Sequence, residues 1–443
     1  MRKRRAPFIA LVVTVAAVAL VSSAGGVTSS GAQAVTLTYV DDIYGDPVSV
    51  KAQQAMIASF EKQNPNVKIK YVFKPFGQWV GTAKLALQGS GAPDVLICAA
   101  YDTCNAALVK AGLVIPQEKY AKQYKWFTGI PAELVRESRH EKDGTTFRGQ
   151  SYGPAQTYDL VGWYYNKAKL REIGVGVPKT QAQFEQALAK AKAAGETPII
   201  YGDLAKVDLG YTFMQQLAYE AAPGVLRTWM YRTGSPDLTG AITRAAGKLK
   251  RWYDAGYFNK DIFGVDQYTA ITRFNKGEGV FISTGAWWTG LLTDLGKNAG
   301  YMLPPPKKAG DGPRAIFSLS NPLLISSKSK NPDTAAKFVA WLVSPQTARV
   351  RAKYGLAATP ISAVKVSDAP GSTYRDVLQA MKTMNTKGEP LPWLDPSPRM
   401  LLEIYGAGLQ AVLGGKKSVA EFAKEVTAEQ RAQYQERKKK GYG

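Results

Sequence analysis

The chain has 443 residues, 45% hydrophobic, 11% aromatic and 21% charged, the make-up of a folded protein and longer than one core usually fills. A single histidine, His140, excludes a His-clustered metal site and leaves a Ser-His-Asp hydrolase no other imidazole to use. Basic residues outnumber acidic ones by 57 to 35, a net charge of +22, and two domains are expected.

The chain opens on Arg2, Lys3, Arg4 and Arg5, then runs without charge from Ala6 to Val40. Its apolar centre, Ala6 to Val21, is short for a bilayer span and suits the core of a secretory leader. Ala32-Gln33-Ala34 is an A-x-A cleavage site, so residues 1–34 read as a signal peptide. The alternative is an uncleaved membrane anchor. Cleavage removes four bases and no acids, which lowers the charge from +22 to +18. Leu20-Val21-Ser22-Ser23-Ala24-Gly25 resembles the run before a lipoprotein cysteine, but Gly26 stands where the cysteine would be. Retention near the cell is therefore expected to be electrostatic rather than lipid-mediated.

Val35–Val40 reads as a strand, and Asp46-Pro47 as a helix cap with a first-turn proline. Ala52, Ala55, Met56 and Phe60 share one helical face, and Asn64-Pro65 ends that helix. Val67, Ile69, Tyr71 and Phe73 alternate as a strand. A helix through Trp79, Ala83 and Leu87 stops at Gly89. Asp94–Cys98 is a short apolar strand of the kind buried on both faces. This β-α-β-α-β order predicts an α/β fold with a mostly parallel sheet and helices on both sides.

Export places Cys98 and Cys104 in an oxidising compartment, where six positions of separation suit a small disulfide loop worth about 2 kcal/mol. Two buried free thiols are the alternative. Helices dominate further on. Thr180 with Gln183 forms a capping box, and Ile242, Ala246, Leu249 and Trp252 form an apolar stripe. Asn331-Pro332 opens a helix carrying Phe338, Trp341 and Leu342. Ser418 with Glu421 opens the last helix, which ends in the basic run Arg437-Lys438-Lys439-Lys440.

There is no P-loop, no G-x-S-x-G elbow and no H-E-x-x-H. Bases are spread through the chain beside acids rather than gathered with aromatics, so no nucleic-acid partner is expected. No cofactor is expected either. Nine Trp and 23 Tyr are the informative excess. Sugar rings offer apolar faces to aromatic rings and hydroxyls to carboxylates. Asp41-Asp42, Tyr101-Asp102 and Tyr158-Asp159 sit at strand ends, where α/β sheets bind ligands. Trp252 and Trp341 lie on helical stripes and read as core. Trp287-Trp288 follows Gly285 after a strand-like run. Trp287 is read as a stacking residue and Trp288 as pointing elsewhere.

Several segments resemble one family in order along the chain. Phe60-Glu61-Lys62-Gln63-Asn64-Pro65-Asn66-Val67 resembles the F-E-K-x-N-P-x-V segment of extracellular solute-binding proteins of ABC sugar importers, the maltose-binding-protein-like family. Gly91–Val95 is similar to its A-P-D-V strand entry. Tyr164-Tyr165-Asn166-Lys167 followed by Pro178-Lys179-Thr180 resembles its Y-Y-N-K and P-K-T-W segments, with Gln181 in place of the tryptophan. Phe274 through Trp287, Ile325 through Pro332 and Gly415 through Val419 resemble three more.

The resemblance implies a two-lobed periplasmic-binding-protein-like fold with a hinge and a ligand cleft between the lobes. It implies lobes of 35–153 plus 313–358 and 155–310 plus 360–443. It implies a non-enzymatic receptor, expected to be a monomer, that captures a carbohydrate and delivers it to ABC permease subunits. The ligand-binding residues it points to, together with the strand-end argument, are Asp41, Asp42, Tyr101, Asp102, Asp159, Asp208, Tyr211 and Trp287, with Trp393 and Arg399 from a proline-rich loop. The basic balance keeps open an anionic solute, such as an acidic oligosaccharide or a glycerophosphodiester. A secreted carbohydrate-active enzyme using two carboxylates, or a wall adhesin, are the other classes.

Overall fold

The computed structural model describes residues 34–42, 46–319, 321–393 and 399–442. The expected leader lies outside the described residues except for Ala34. Among them, the strands are β1 (Val35–Asp41), β2 (Val67–Phe73), β3 (Val95–Ile97), β4 (Arg139–His140), β5 (Gln150–Ser151), β6 (Tyr158–Asn166), β7 (Phe281–Gly285), β8 (Ala299–Met302), β9 (Arg314–Leu319), β10 (Leu323–Ile325) and β11 (Glu389–Leu391).

The first sheet has the order β10-β3-β1-β2. β1 runs parallel to β2 and β3, as the alternation of strands and helices predicts. The crossovers are the helices Pro47–Gln63 and Phe76–Gln88. Asp46 caps the first by accepting from the Val48 and Ser49 amides at 3.0 Å. Leu37, Tyr39, Phe60 and Phe338 pack one face of this sheet. Val40, Trp79, Leu87 and Cys98 pack the other.

The second sheet has the order β11-β9-β6-β7, with β8 also paired to β6. Here the mostly parallel expectation fails: β6 is antiparallel to β7, β8 and β9. Only β11 and β9 run parallel. β6 alternates strictly. Val161, Trp163 and Tyr165 face a core shared with Phe184, Phe213 and Trp252. Leu160 and Tyr164 face another with Phe274, Phe317 and Met381. Trp252 is core, as its stripe predicts. Trp341 is half-buried and donates its Nε1–H to the Met56 carbonyl at 2.9 Å.

Two segments run between the sheets. One leads from β5, which pairs only with β4 in a separate two-stranded sheet, to β6, and the other from β9 of the second sheet to β10 of the first. They touch at a bridge between Ala155 and Pro322 and through the Leu323 amide, which donates to the Pro154 carbonyl at 2.8 Å. Residues 314–319, placed in the first lobe by resemblance, form β9 of the second sheet. Gly153 lies in the first crossing with φ +150, and a Cβ there would stand 2.1 Å from the Leu323 carbonyl oxygen.

Cys98 and Cys104 form a disulfide with Cα atoms 5.9 Å apart. No helix among the described residues is long and apolar enough to cross a membrane. His140 is buried edge-on to the Tyr152 ring, and burial lowers its pKa from 6.5 to about 4. The unfolded chain takes up this proton as pH falls through 6.5, and the folded chain only near 4. The imidazole therefore withdraws roughly 3 kcal/mol of stability across that window. The buried carboxyls of Asp42, Glu137 and Asp208 act oppositely. Their pKa values are raised, chiefly by burial, so their contribution is present at low pH and lost as pH rises through the folded values. A melt averages all four groups, but NMR isolates the only histidine. Its ring signals should titrate near pH 4. A midpoint near 6.5 would place the ring in water.

Candidate functional site

Strand register brings one group of side chains together. In the antiparallel pair of β6 and β7, Val161 stands opposite Gly285. Asp159, two residues before Val161, and Trp287, two after Gly285, therefore leave the same end of that pair. In β11 and β9, Leu391 stands opposite Ile316. Two residues on, Trp393 draws level with Ser318, whose partner on β6 is Asp159. Trp393 donates its Nε1–H to Asp159 Oδ2 at 3.3 Å. The helix Leu209–Leu217 lies over the same strands: Gln215 donates to the Gly162 carbonyl at 3.3 Å and to Ser283 Oγ at 3.1 Å. One turn earlier on that face is Tyr211.

Tyr211 lies 6.1 Å from Trp287 and 5.4 Å from Trp393 between ring centroids. Trp287 and Trp393 are 6.4 Å apart. All three rings are half-buried and rest on the core beneath the second sheet. Trp288 turns away. It stacks edge-on near Tyr268 and donates to Gln267 Oε1 at 2.8 Å.

Trp287 folds back over Gly285. A Cβ at Gly285 would lie about 2 Å from three atoms of the indole. The Gly285 backbone is ordinary extended strand, so a Gly285→Ala chain still pairs β6 with β7 but drives the ring off its seat. The expected result is a folded variant, less stable by about 1–3 kcal/mol, with altered tryptophan fluorescence. An unchanged spectrum and melt would show that the ring does not depend on the glycine.

Trp393 also packs against the cluster Tyr101, Phe147 and Tyr231, so the aromatic group continues toward residues that follow β3. Tyr101 is buried in a left-handed conformation, φ 57, and donates its hydroxyl to Glu137 Oε2 at 3.0 Å. The Tyr231 hydroxyl and the Leu319 amide donate to the same carboxylate at 3.4 and 3.0 Å. Glu137 is thus a buried hub joining the turn after β3, Tyr231 and the end of β9. Burial holds its carboxyl well above the ordinary range against those hydrogen bonds, and the Asp159 charge adds to the rise. Sequence reasoning missed it, because Arg136-Glu137-Ser138 reads like any solvated helix end.

The other expected residues are distributed unevenly. Asp41 is buried at the end of β1 and accepts from Gln53 Nε2 at 3.0 Å and the Tyr71 hydroxyl at 3.1 Å. Asp42 is buried beside it, and neither of its oxygens has a partner among the described residues. Burial, then the Asp41 charge, keeps its carboxyl well above the usual range. Asp102 pairs with Arg232 at 3.0 Å. Asp208 is buried, accepts from Gln267, and is raised by burial and by Asp203. Arg399 is not drawn into the aromatic group. It is exposed and pairs with Glu429 of the last helix at 3.1 Å.

A family model described as bacterial extracellular solute-binding protein matches residues 21–349. A multiple sugar-binding protein of Streptococcus mutans is 24% identical over 306 residues, covering 68% of this chain and 69% of that protein. Among solved structures, one from a study of xylan utilisation by Caldanaerobius polysaccharolyticus superposes with a TM-score of 0.75 at 20% identity, covering 89% of this chain and 99% of that one. The GacH receptor of Streptomyces glaucescens, solved unliganded and with acarbose, gives 0.71 at 23% identity over 90% of this chain and 98% of its own.

Proposed function

The chain belongs to the bacterial extracellular solute-binding proteins, two lobes of α/β structure about a cleft, and from that premise we propose that its solute is a carbohydrate. The observation that carries this reading is the meeting of Tyr211, Trp287 and Trp393 with the Asp159 carboxylate. Half-buried rings give the apolar faces of a sugar a place to stack, and the carboxylate accepts from its hydroxyls. The sugar-binding name of the Streptococcus mutans relative supports the same class.

Binding then needs no covalent step. Ligand held by both lobes stabilises the closed state, and the permease of an ABC importer reads that state. Asp42, whose two buried carboxyl oxygens have no partner among the described residues, is the first sheet's candidate contact. Pairing of β9 within the second sheet supports placing the second crossing after Leu319 rather than at 313. The first lobe then holds 35–153 and the chain from β10 to 358. The second holds 155–319 and 360–443. The processed protein acts as a monomer and stays near the cell by charge.

A thermal-shift screen of oligosaccharides, followed by calorimetric titration of the best hit, tests this. Saturable binding that leaves the oligosaccharide intact is the expected result. Hydrolysis products would instead make the buried Glu137 and the half-buried Asp159 an acid–base pair.

A further inference from the structure

A cavity of about 200 Å³ has none of Tyr211, Trp287 or Trp393 in its lining, and Asp102, Thr146 and Arg232 in its walls each adjoin a residue of the Tyr101, Phe147 and Tyr231 cluster. One wall is the turn after β3 and the loop between β4 and β5, carrying Asp102 and Thr146. The opposite wall is Arg232 and the last helix, Val419–Lys439, carrying Arg437. Both guanidinium groups are buried, each residue only 6% exposed. Both turn to the same threonine: Arg437 donates to the Thr146 carbonyl at 3.1 Å and to its Oγ1 at 3.4 Å, and Arg232 reaches that Oγ1 at 3.5 Å.

The charges around this cavity do not balance. Asp102 is taken by Arg232 at 3.0 Å. Asp143 and Glu436 are both taken by Lys440, at 3.8 and 3.7 Å. No carboxylate pairs with Arg437 among the described residues, and Lys110 adds an ammonium at the rim. The Nε atoms of Arg232 and Arg437 are buried and make no hydrogen bond. Two buried like charges sharing neutral acceptors are costly unless a further negative charge joins them. Burial, together with the neighbouring Arg232, lowers Arg437 to about 10.

We propose that this cavity is a binding site for a small oxyanion of the phosphate type, held between Arg437, Arg232 and Lys110. Guanidinium groups donate in a fork that matches such oxygens. The two walls come from elements packed on different sheets, so a bound anion ties them together and favours the closed state. This does not rest on the carbohydrate reading, since its donors are Arg437, Arg232 and Lys110 and none of Tyr211, Trp287, Trp393 or Asp159 lines the cavity.

The test uses the processed full-length chain without sugar. Sodium phosphate is titrated by calorimetry against sodium chloride at equal ionic strength, and melts are run in both. Saturable heat and a raised melting temperature with phosphate alone are expected. Arg437→Gln and Lys110→Gln should each weaken phosphate binding at least fivefold. Lys110 is exposed, so that variant keeps its fold if the buried one does not. Phosphate behaving as chloride does, or Lys110→Gln and a folded Arg437→Gln both binding like the parent, overturns the site. Small-angle scattering should show a smaller radius of gyration with phosphate, and an unchanged radius overturns its link to closure.

Discussion

Trp287→Ala is expected to weaken carbohydrate binding by about 2–4 kcal/mol, as buried aromatic anchors do at binding sites. That is roughly a 30- to 1,000-fold rise in dissociation constant. The indole sits at the end of β7, half-buried, within 6.1 Å of Tyr211 and 6.4 Å of Trp393. Its removal leaves a sugar face wet and strips two neighbouring rings of a partner. Folding should suffer much less, because the ring rests on the core rather than within it. Trp163→Ala is the contrast. Trp163 is wholly buried on β6 against Phe184 and Phe281, and its loss should cost stability about 3–5 kcal/mol. Calorimetric titration and denaturant melts of both variants make the comparison. If Trp287→Ala unfolds readily while its folded fraction binds sugar as before, the residue is core and the site lies elsewhere.

Gly153→Ala is expected to destabilise the protein by at least about 3 kcal/mol. The first crossing passes so close to β10 that an added Cβ would lie 2.1 Å from the Leu323 carbonyl oxygen and 2.9 Å from its carbon. These are backbone atoms, and no rotamer relieves the contact. The φ of +150 adds strain for any residue with a Cβ. Gln117 closes the same spot by donating to that carbonyl at 2.9 Å, so the strand has no room to retreat. Gly91→Ala serves as control: its Cβ would meet nothing within 4 Å, and the change should stay within about 0.5 kcal/mol. Equal melts for the two variants would mean the crossing is loose.

Strands β1 to β3 of the first sheet were legible because they alternate with helices over a short stretch of chain; β10 arrives from more than two hundred residues away, runs antiparallel to β3 and was not. Nor was the second sheet. β6 finds its partners more than a hundred residues away in β7 and β9, and local periodicity carries no sign of direction across such a gap. Within the candidate site, Asp159 was named from a strand end and from resemblance, Trp287 and Tyr211 from resemblance, and Trp393 from the same proline-rich loop as Arg399; the structure brings the first four together. The place of Arg399 was not legible, because a proline-rich stretch hides which way the chain turns. Arg232 and Glu137 gave no signal at all. A charge that will be buried by a distant segment looks, in sequence, like one that faces water.

The disulfide after β3 makes one part of this receptor conditional on chemistry outside it. Cys98 and Cys104 bracket Tyr101 and Asp102, so the ring they close contains the residues that meet Glu137 and Arg232. Without the S–S bond that segment is held by packing, the Tyr101–Glu137 hydrogen bond and the Asp102–Arg232 ion pair. The left-handed φ of Tyr101 lies inside the ring, where the bond restricts the backbone most directly. Pairing of the two thiols therefore closes a ring around the segment whose side chains reach Glu137 and Arg232, so one covalent bond and two polar contacts act on the same turn.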